Sequence, residues 1–238
     1  MNSQSKKSVC VVIPAYNEAK VIHDVITHTA KTLDKEQSFS YQIVIVNDGS
    51  TDNTGLEASK TSAFVINHIL NSGAGSATAT GLRYAQKNNF DIAVTMDADG
   101  QHAPEDVMQG INLIKDSDTD LLIGSRLIDS SGMSKVKVLG NKGLSAVTYI
   151  LFGINSTDSQ SGLRVFSRKS LDTLKWKTNG YEFCSEMLWR ANQAGLTIDE
   201  YPIQAIYTDY STSKGQNNWN AINIVKSLLR RRIAEIFE

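Results

Sequence analysis

Four short apolar runs punctuate the first hundred residues: Val9-Cys10-Val11-Val12-Ile13, Ile43-Val44-Ile45-Val46, Phe64-Val65-Ile66 and Ile92-Ala93-Val94-Thr95-Met96. A run that is apolar at successive positions buries both faces of a strand, so each needs cover from both sides. The intervening stretches supply it. Residues 18–33 place Val21, Ile22, Val25, Ile26, Thr29 and Ala30 along one helical stripe. A shorter helix is expected from the Thr51-Asp52-Asn53-Thr54 cap toward Ser62, and another from Ala74 to Lys87. Such alternation predicts an α/β fold with a mainly parallel central sheet and helices on both faces. In open sheets of this kind ligands sit beyond the carboxyl ends of the strands. Pro14, Asp48 and Asp97 all fall there, which predicts one shared crevice.

The second half continues less regularly. A helix is expected over Pro104 to Lys115, a strand over Asp120 to Arg126, a basic loop over Lys135 to Gly140, and a helix over Asn141 to Phe152. A polar turn, Asp158-Ser159-Gln160-Ser161-Gly162, precedes a strand at Leu163 to Phe166; a helix over Tyr181 to Ala194 and a strand over Thr197 to Ile206 follow. No internal repeat or low-complexity linker divides the chain, so residues 1–215 read as one domain and 216–238 as a C-terminal extension. That extension carries Ile222, Val225, Leu228, Leu229, Ile233, Ile236 and Phe237 at helical spacing, with Lys226 and Arg230-Arg231-Arg232 between them. A basic amphipathic helix is either a membrane-surface element or a helix docked on protein.

Charge narrows the partners. With 24 basic and 25 acidic residues the net charge is -1, which gives no reason to expect nucleic acid as a partner. The two cysteines, Cys10 and Cys184, fit no metal spacing and read as buried free thiols. The first residues lack the apolar core of a secretory signal, and no stretch approaches the roughly 18 apolar residues of a spanning helix. The expectation is a cytoplasmic protein, or one held peripherally at the inner face of the cell membrane.

The chemistry concentrates in Asp97-Ala98-Asp99-Gly100-Gln101-His102. If the strand continues, Asp97 and Asp99 project to the same side. Two carboxylates so placed repel each other unless a cation lies between them, and hard oxygen donors select Mg²⁺ or Mn²⁺. A diphosphate would add about two more negative charges, and each like-charge pair near 4 Å costs on the order of 4 kcal/mol at an effective dielectric near 20. Asp97, Asp99 and Gln101 are therefore the expected metal ligands, with a phosphate-bearing substrate. His102 is expected to pack at a helix start. Asn71-Ser72-Gly73-Ala74-Gly75 also resembles a dinucleotide-binding loop, but without the acidic residue such a loop requires about 20 residues on.

Val12-Ile13-Pro14-Ala15-Tyr16-Asn17-Glu18, Val46-Asn47-Asp48-Gly49-Ser50-Thr51-Asp52 and Met96-Asp97-Ala98-Asp99-Gly100-Gln101-His102 together resemble family 2 glycosyltransferases. Gly124-Ser125-Arg126, Asp158 to Arg164, Gly180 to Phe183 with Glu186-Met187, and Ser213-Lys214 are similar to the dolichol-phosphate mannose synthase branch, which includes undecaprenyl-phosphate glycosyltransferases. The resemblance implies a GT-A-type, Rossmann-like nucleotide-binding fold. It implies a nucleotide-diphosphate sugar, UDP- or GDP-linked, docked on Pro14, Tyr16, Glu18, Asp48 and Asp97. It also implies inverting transfer to a polyprenyl phosphate. Asn47 replaces an aspartate common in the family, and Ala74 stands where many members carry a lysine. Arg126, Arg164 and Lys214 are the expected partners of phosphoryl charge, and Asp158 joins the catalytic set. Without a spanning helix, a lipid acceptor would be met at the bilayer surface, with or without a separate membrane partner. Two alternatives stay open: transfer to a glycan or polymer hydroxyl, with Asp158 or Glu186 as base, and a non-catalytic nucleotide-sugar-binding protein. A haloacid-dehalogenase-type phosphatase also follows a strand with Asp-x-Asp, but Gln101 occupies the place of its usual Thr or Val.

Overall fold

The computed structural model describes residues 6–207 and 218–237. In chain order these form β1 (Lys7–Ala15), α1 (Ile22–Leu33), β2 (Phe39–Asn47), α2 (Thr54–Ser59), β3 (Phe64–Asn67), α3 (Ala74–Lys87) and β4 (Ile92–Thr95). There follow α4 (Pro104–Lys115), β5 (Leu121–Ser125), α5 (Lys135–Phe152), β6 (Arg164–Ser167), α6 (Arg168–Thr173), α7 (Phe183–Gln193), β7 (Ile198–Pro202) and α8 (Asn218–Phe237). The strands make one sheet in the order β3-β2-β1-β4-β6-β5-β7.

Three of the apolar runs, in β1, β2 and β4, are buried on both faces, whereas β3 lies at the sheet edge and leaves Phe64 45% exposed. Along β1, Val9, Val11 and Ile13 enter a core shared with Ile22, Ile26 and Leu33 of α1 and Val107, Ile111 and Ile114 of α4. Cys10 and Val12 point the other way, into a second core with Ala77, Leu82 and Ala85 of α3 and Met187, Leu188 and Trp189 of α7. Both cysteines are buried free thiols, Cys10 pushed up to about 12 and Cys184 to about 11 by burial, so neither is a nucleophile at neutral pH.

Two features of the sheet place the site. The strand order reverses at β1, which pairs in parallel with β2 on one side and β4 on the other, so the crevice opens beyond Ala15 and Thr95. β6 runs antiparallel to both β4 and β5, with Thr95 opposite Arg164. Its first residue therefore lies at the carboxyl end of β4, and the turn before it, Asp158 to Gly162, is delivered to the crevice.

The second half holds the departures from expectation. Lys135 to Gly140 is not a loop but the start of α5, where the Ser134 side chain accepts from the Lys137 backbone N–H. The expected helix over Asn141 to Phe152 is its continuation, and only the basic first part, ending at Gly140, was missed. The short helix α6 was not anticipated at all; the Ser167 side chain caps it. The C-terminal helix α8 docks on protein: Ile224 and Leu228 join the second core, and Arg231 donates to Glu186 at 3.0 Å. Arg190 in turn donates to Glu235 at 2.9 Å. The expected membrane-facing stripe of this helix thus loses its central residue, Leu228, to the interior. The side chains of Ile222, Ile236 and Phe237 lie outside the described residues. Among the described residues, no helix is long and apolar enough to cross a membrane.

Candidate active site

The loops after β1 and β2 are stitched into one wall of the crevice. The Asn17 N–H donates to Ser50 Oγ at 3.0 Å, the Glu18 N–H to Thr54 Oγ1 at 2.7 Å, and the Thr51 N–H to Asn17 Oδ1 at 2.9 Å. Asn17 takes a left-handed φ of 56°, which asparagine tolerates and which turns the chain sharply after β1. Tyr16 is left 44% exposed on this wall, available to a planar ligand.

Asp48 is held by the loop that follows β3. Its carboxylate is buried and accepts from the Ser72 N–H (2.9 Å), the Gly73 N–H (2.8 Å) and His68 Nδ1 (2.7 Å). It therefore shapes the 68–73 loop at the carboxyl end of β2. Gly49, at φ 65°, lets that loop close, since a Cβ there would stand 2.4 Å from the Asn71 nitrogen. The glycine-rich start of α3 is equally closed. The Gly75 N–H donates to the Asn179 carbonyl at 2.7 Å, and a Cβ on Gly75 would stand 2.6 Å from the Thr178 oxygen. The resemblance to a dinucleotide loop fails because protein backbone occupies the space a phosphate would need.

Asp97 and Asp99 share a turn, not a strand face, because β4 ends at Thr95 and Gly100 takes φ 76°. They remain electrostatically coupled. Burial pushes the Asp97 carboxyl up, but the hydrogen bond and charge of His102, with the charges of Arg126 and Arg164, outweigh it and hold Asp97 below the usual range. Asp99 is pushed up to about 6 by burial and by the Asp97 charge, with Glu18 adding to the effect. Two elements fix Asp97. His102, buried as the sequence suggested, places Nε2 3.1 Å from Asp97 Oδ2. Gly162 backs the carboxylate so closely that a Cβ there would stand 2.3 Å from Asp97 Oδ1. Asp99 accepts from the Gln101 N–H at 3.0 Å, and the Gln101 carbonyl accepts from the Ile206 N–H at 2.9 Å.

The cations divide into three cases. Arg126 lies at the carboxyl end of β5 and grips Asp158 with a fork, Nε to Oδ2 at 2.7 Å and Nη2 to Oδ1 at 2.9 Å. Desolvation opposes its charge, but Asp158 and Asp97 more than compensate, so its pKa is raised. Arg164 does not face open space. It is 1% exposed, and its guanidinium donates to the carbonyls of Ser161 (3.0 Å), Cys184 (3.0 Å) and Ser159 (2.8 Å). A guanidinium so engaged ties the 158–162 turn to α7 and acts on the crevice only through its field. Lys214 lies outside the described residues.

Neither expected base is placed as one. Asp158 is fully buried in the Arg126 fork. Glu186 is also fully buried, accepting from the Lys177 and Thr178 N–H groups and from Arg231, with Arg190 at 3.5 Å. These donors hold Glu186 below the usual carboxylate range against its desolvation. Tyr181, which carried no assigned role, lies where the charges of Asp97, Asp99 and Glu18 add to burial in raising its phenol.

Among the described residues, no group of three or more His, Cys, Asp or Glu side chains forms a metal cage. Asp97 and Asp99 are a partial set of hard oxygen donors. Asp99 feels the charges of Asp97 and Glu18 and is already driven toward protonation. That excess of negative charge fits a divalent cation whose shell substrate oxygens complete. The cavity beside Asp99, lined in part by Val21, Val25, Met96 and His102, is about 170 Å³. It is too small for a nucleotide sugar, which the open crevice must hold.

The Glycosyl transferase family 2 model matches residues 10–175. An uncharacterized protein of Methanocaldococcus jannaschii is 40% identical over 239 residues, covering 98% of this chain and 96% of that one. The UDP-N-acetylglucosamine–dolichyl-phosphate N-acetylglucosaminyltransferase of Methanococcus voltae is 38% identical over 255 residues, covering 98% and 99%. Among solved structures, Mycobacterium tuberculosis glucosyl-3-phosphoglycerate synthase with Mn²⁺, UDP-glucose and phosphoglyceric acid matches with a TM-score of 0.66 at 21% identity, over 93% of this chain and 79% of that one. That last likeness is one of fold, and the fold is GT-A. A sheet that reverses at β1, a carboxylate pair beyond β4 and a family match over most of the chain lead to one conclusion: this protein belongs to glycosyl transferase family 2 and is a glycosyltransferase.

Proposed function

We propose that this glycosyltransferase moves a sugar from a nucleotide-diphosphate donor, uridine-linked, to the phosphate of a polyprenyl phosphate, inverting the anomeric carbon. The observation that carries the acceptor is the state of the two candidate bases: Asp158 and Glu186 are both fully buried and bound to arginines. A hydroxyl acceptor needs a group to take its proton, whereas a phosphate oxygen is already anionic at neutral pH. Attack on the anomeric carbon then depends on positioning and on charge stabilisation. The similar M. voltae enzyme, named for UDP-N-acetylglucosamine and dolichyl phosphate, supports both ends of this reading.

In this mechanism a phosphate oxygen of the acceptor bonds to the sugar's anomeric carbon as the bond from that carbon to the donor diphosphate breaks. The nucleoside diphosphate leaves with the electron pair, and a single displacement inverts the centre. Asp97 and Asp99, with Gln101 close by, would hold Mg²⁺ or Mn²⁺, which supplies Lewis-acid stabilisation of the departing diphosphate. A protein of the same fold contains Mn²⁺ and UDP-glucose together. His102 and Gly162 hold Asp97 in place. Tyr16 offers its exposed ring to the base, and Glu18 places acceptor oxygens near the ribose. Arg126, oriented by the Asp158 fork, faces the acceptor phosphate.

Thermal denaturation with UDP, GDP and other nucleoside diphosphates, each with and without Mn²⁺, tests the donor half. The expected result is stabilisation by UDP that requires the metal. Equal stabilisation with and without metal, or none by any nucleotide, would remove the donor assignment.

A further inference from the structure

Between α6 and α7 residues 174–179 form neither helix nor strand, and their side chains divide. Trp176 is directed at α3 and α7, its Nε1 donating to the Gly75 carbonyl at 3.2 Å and its ring lying 5.8 Å from that of Phe183. Lys175 and Lys177, one on each side of it, are exposed and border a cavity of about 300 Å³. Trp176, Arg190 of α7 and Glu235 of α8 complete its lining. That volume lies at the lower end of the range of small-molecule sites. Arg190 is fixed in the wall, because its guanidinium forks Glu235 at 2.9 and 3.0 Å and lies 4.4 Å from the Trp189 ring centroid. Glu235 also accepts from Arg231 at 2.6 Å and feels the charge of Lys177. Lys175 makes no hydrogen bond or ion pair among the described residues. With Glu186 behind the wall, two carboxylates stand among four cations, Lys175, Lys177, Arg190 and Arg231. A concave site with that excess of positive charge is the complement of a dianion.

We propose that this cavity is an effector site for a small, soluble phosphorylated molecule carrying at least two negative charges, whose binding is passed to the donor crevice through residues 176–181. It shares no residue with the donor or metal site described above. The path is built of hydrogen bonds. Glu186 accepts from the Lys177 and Thr178 N–H groups at 3.2 and 2.9 Å. Asn179 accepts from the Gly75 N–H at 2.7 Å and from Ser76 Oγ at 2.9 Å, at the start of α3. Tyr181 follows, where the charges of Asp97 and Asp99 reach it. An anion between Lys175, Lys177 and Arg190 replaces the repulsion of neighbouring cations with attraction and fastens the segment to α7. The wall that carries Tyr181 is then ordered before the donor arrives, which favours donor binding.

Calorimetric titration of the full chain, without metal and at constant ionic strength, tests the site with pyrophosphate and inorganic phosphate. Pyrophosphate is expected to bind at one site per chain, at least about tenfold tighter than inorganic phosphate. Its affinity should be the same in D99N and at least about tenfold weaker in K175A/K177A. Both lysines are exposed, and unchanged thermal melting would verify intact folding of that variant. Sulfate, a dianion that leaves Mn²⁺ in solution, is then added at a concentration that displaces pyrophosphate. It should lower the Kd of UDP with Mn²⁺ about fivefold in wild type and leave K175A/K177A unmoved. Pyrophosphate binding that is absent in wild type, survives K175A/K177A or is abolished by D99N overturns the site. UDP affinity that sulfate does not change in wild type overturns the effector role. An anionic lipid headgroup presents the same chemistry, so displacement of pyrophosphate by phosphatidylglycerol vesicles would overturn the soluble ligand. Failure of UDP to bind with Mn²⁺ condemns the donor assignment, while the pyrophosphate titration still judges the cavity.

Discussion

Replacing Asp99 with asparagine should stabilise the metal-free protein and abolish its response to metal. The Asp99 carboxyl is pushed from its ordinary 3.8 up to about 6 by burial and by Asp97. Its protonated form is thus favoured in the fold, and its charge costs stability at neutral pH. Each unit of displacement corresponds to about 1.4 kcal/mol, and the coupling to Asp97 makes the full value an upper bound, so the gain is roughly 1–3 kcal/mol. Asparagine keeps an oxygen for the Gln101 N–H that Asp99 now accepts. For a chain of this length a kcal/mol is worth roughly 2–4 °C, which predicts a rise of about 2–12 °C in Tm near pH 7.5 without metal. The sign fixes the pH dependence. A carboxylate with a raised folded pKa is penalised above that pKa, and the penalty fades as pH falls through 6 toward the unfolded value. The advantage of D99N should therefore vanish by about pH 4. With Mn²⁺ and UDP the order should reverse, since wild type gains about 4.1 kcal/mol at a thousand-fold excess over Kd and the variant does not. Differential scanning calorimetry over this pH range, with and without Mn²⁺, decides it. A D99N protein that melts below wild type near pH 7.5 without metal, or keeps its advantage at pH 4, would refute the reasoning.

Other substitutions separate chemistry from scaffold. Gly162→Ala should displace only the flexible end of Asp97, leaving Tm within a few degrees while transfer falls about a hundred-fold, as steady-state kinetics would register. Arg164→Met should act on stability, because three carbonyls lose their donor; a loss of about 3 kcal/mol or more is expected in denaturant unfolding. Gly49→Ala should destabilise by more than about 1 kcal/mol, since its left-handed φ and the Asn71 backbone leave no room for a Cβ. The apparent Mn²⁺ affinity should weaken as pH falls below about 6, where protons compete for Asp99, and calorimetric titration at two pH values would measure this.

The first half of the fold was legible because its signals are local. The buried strands follow from unbroken apolar runs, and helices such as α1 and α4 from apolar residues repeated at helical spacing. Where contacts are non-local, the sequence was silent or misleading. Nothing in Leu163-Arg164-Val165-Phe166 announces that β6 runs against its neighbours, yet that reversal brings Gly162 against Asp97. Asp48 and Arg164 carry the residue types of ligand-binding groups, and their partners, His68 and backbone atoms up to 25 residues away, cannot be read from spacing. The carboxylate pair was found by its motif although the strand geometry first used to place it was wrong. Its turn, capped by Gly100, brings the charges together in a different way.

The most direct test of the account is a transfer assay that varies only the acceptor's phosphate. Purified enzyme with UDP-N-acetylglucosamine and Mn²⁺ would be given a polyprenyl phosphate or the corresponding polyprenol, and products followed by mass spectrometry and anomeric NMR. The account predicts an inverted sugar phosphate on the polyprenyl phosphate alone, lost with EDTA and in D97N. Equal transfer to the polyprenol, or a product that retains the donor's anomeric configuration, would contradict it.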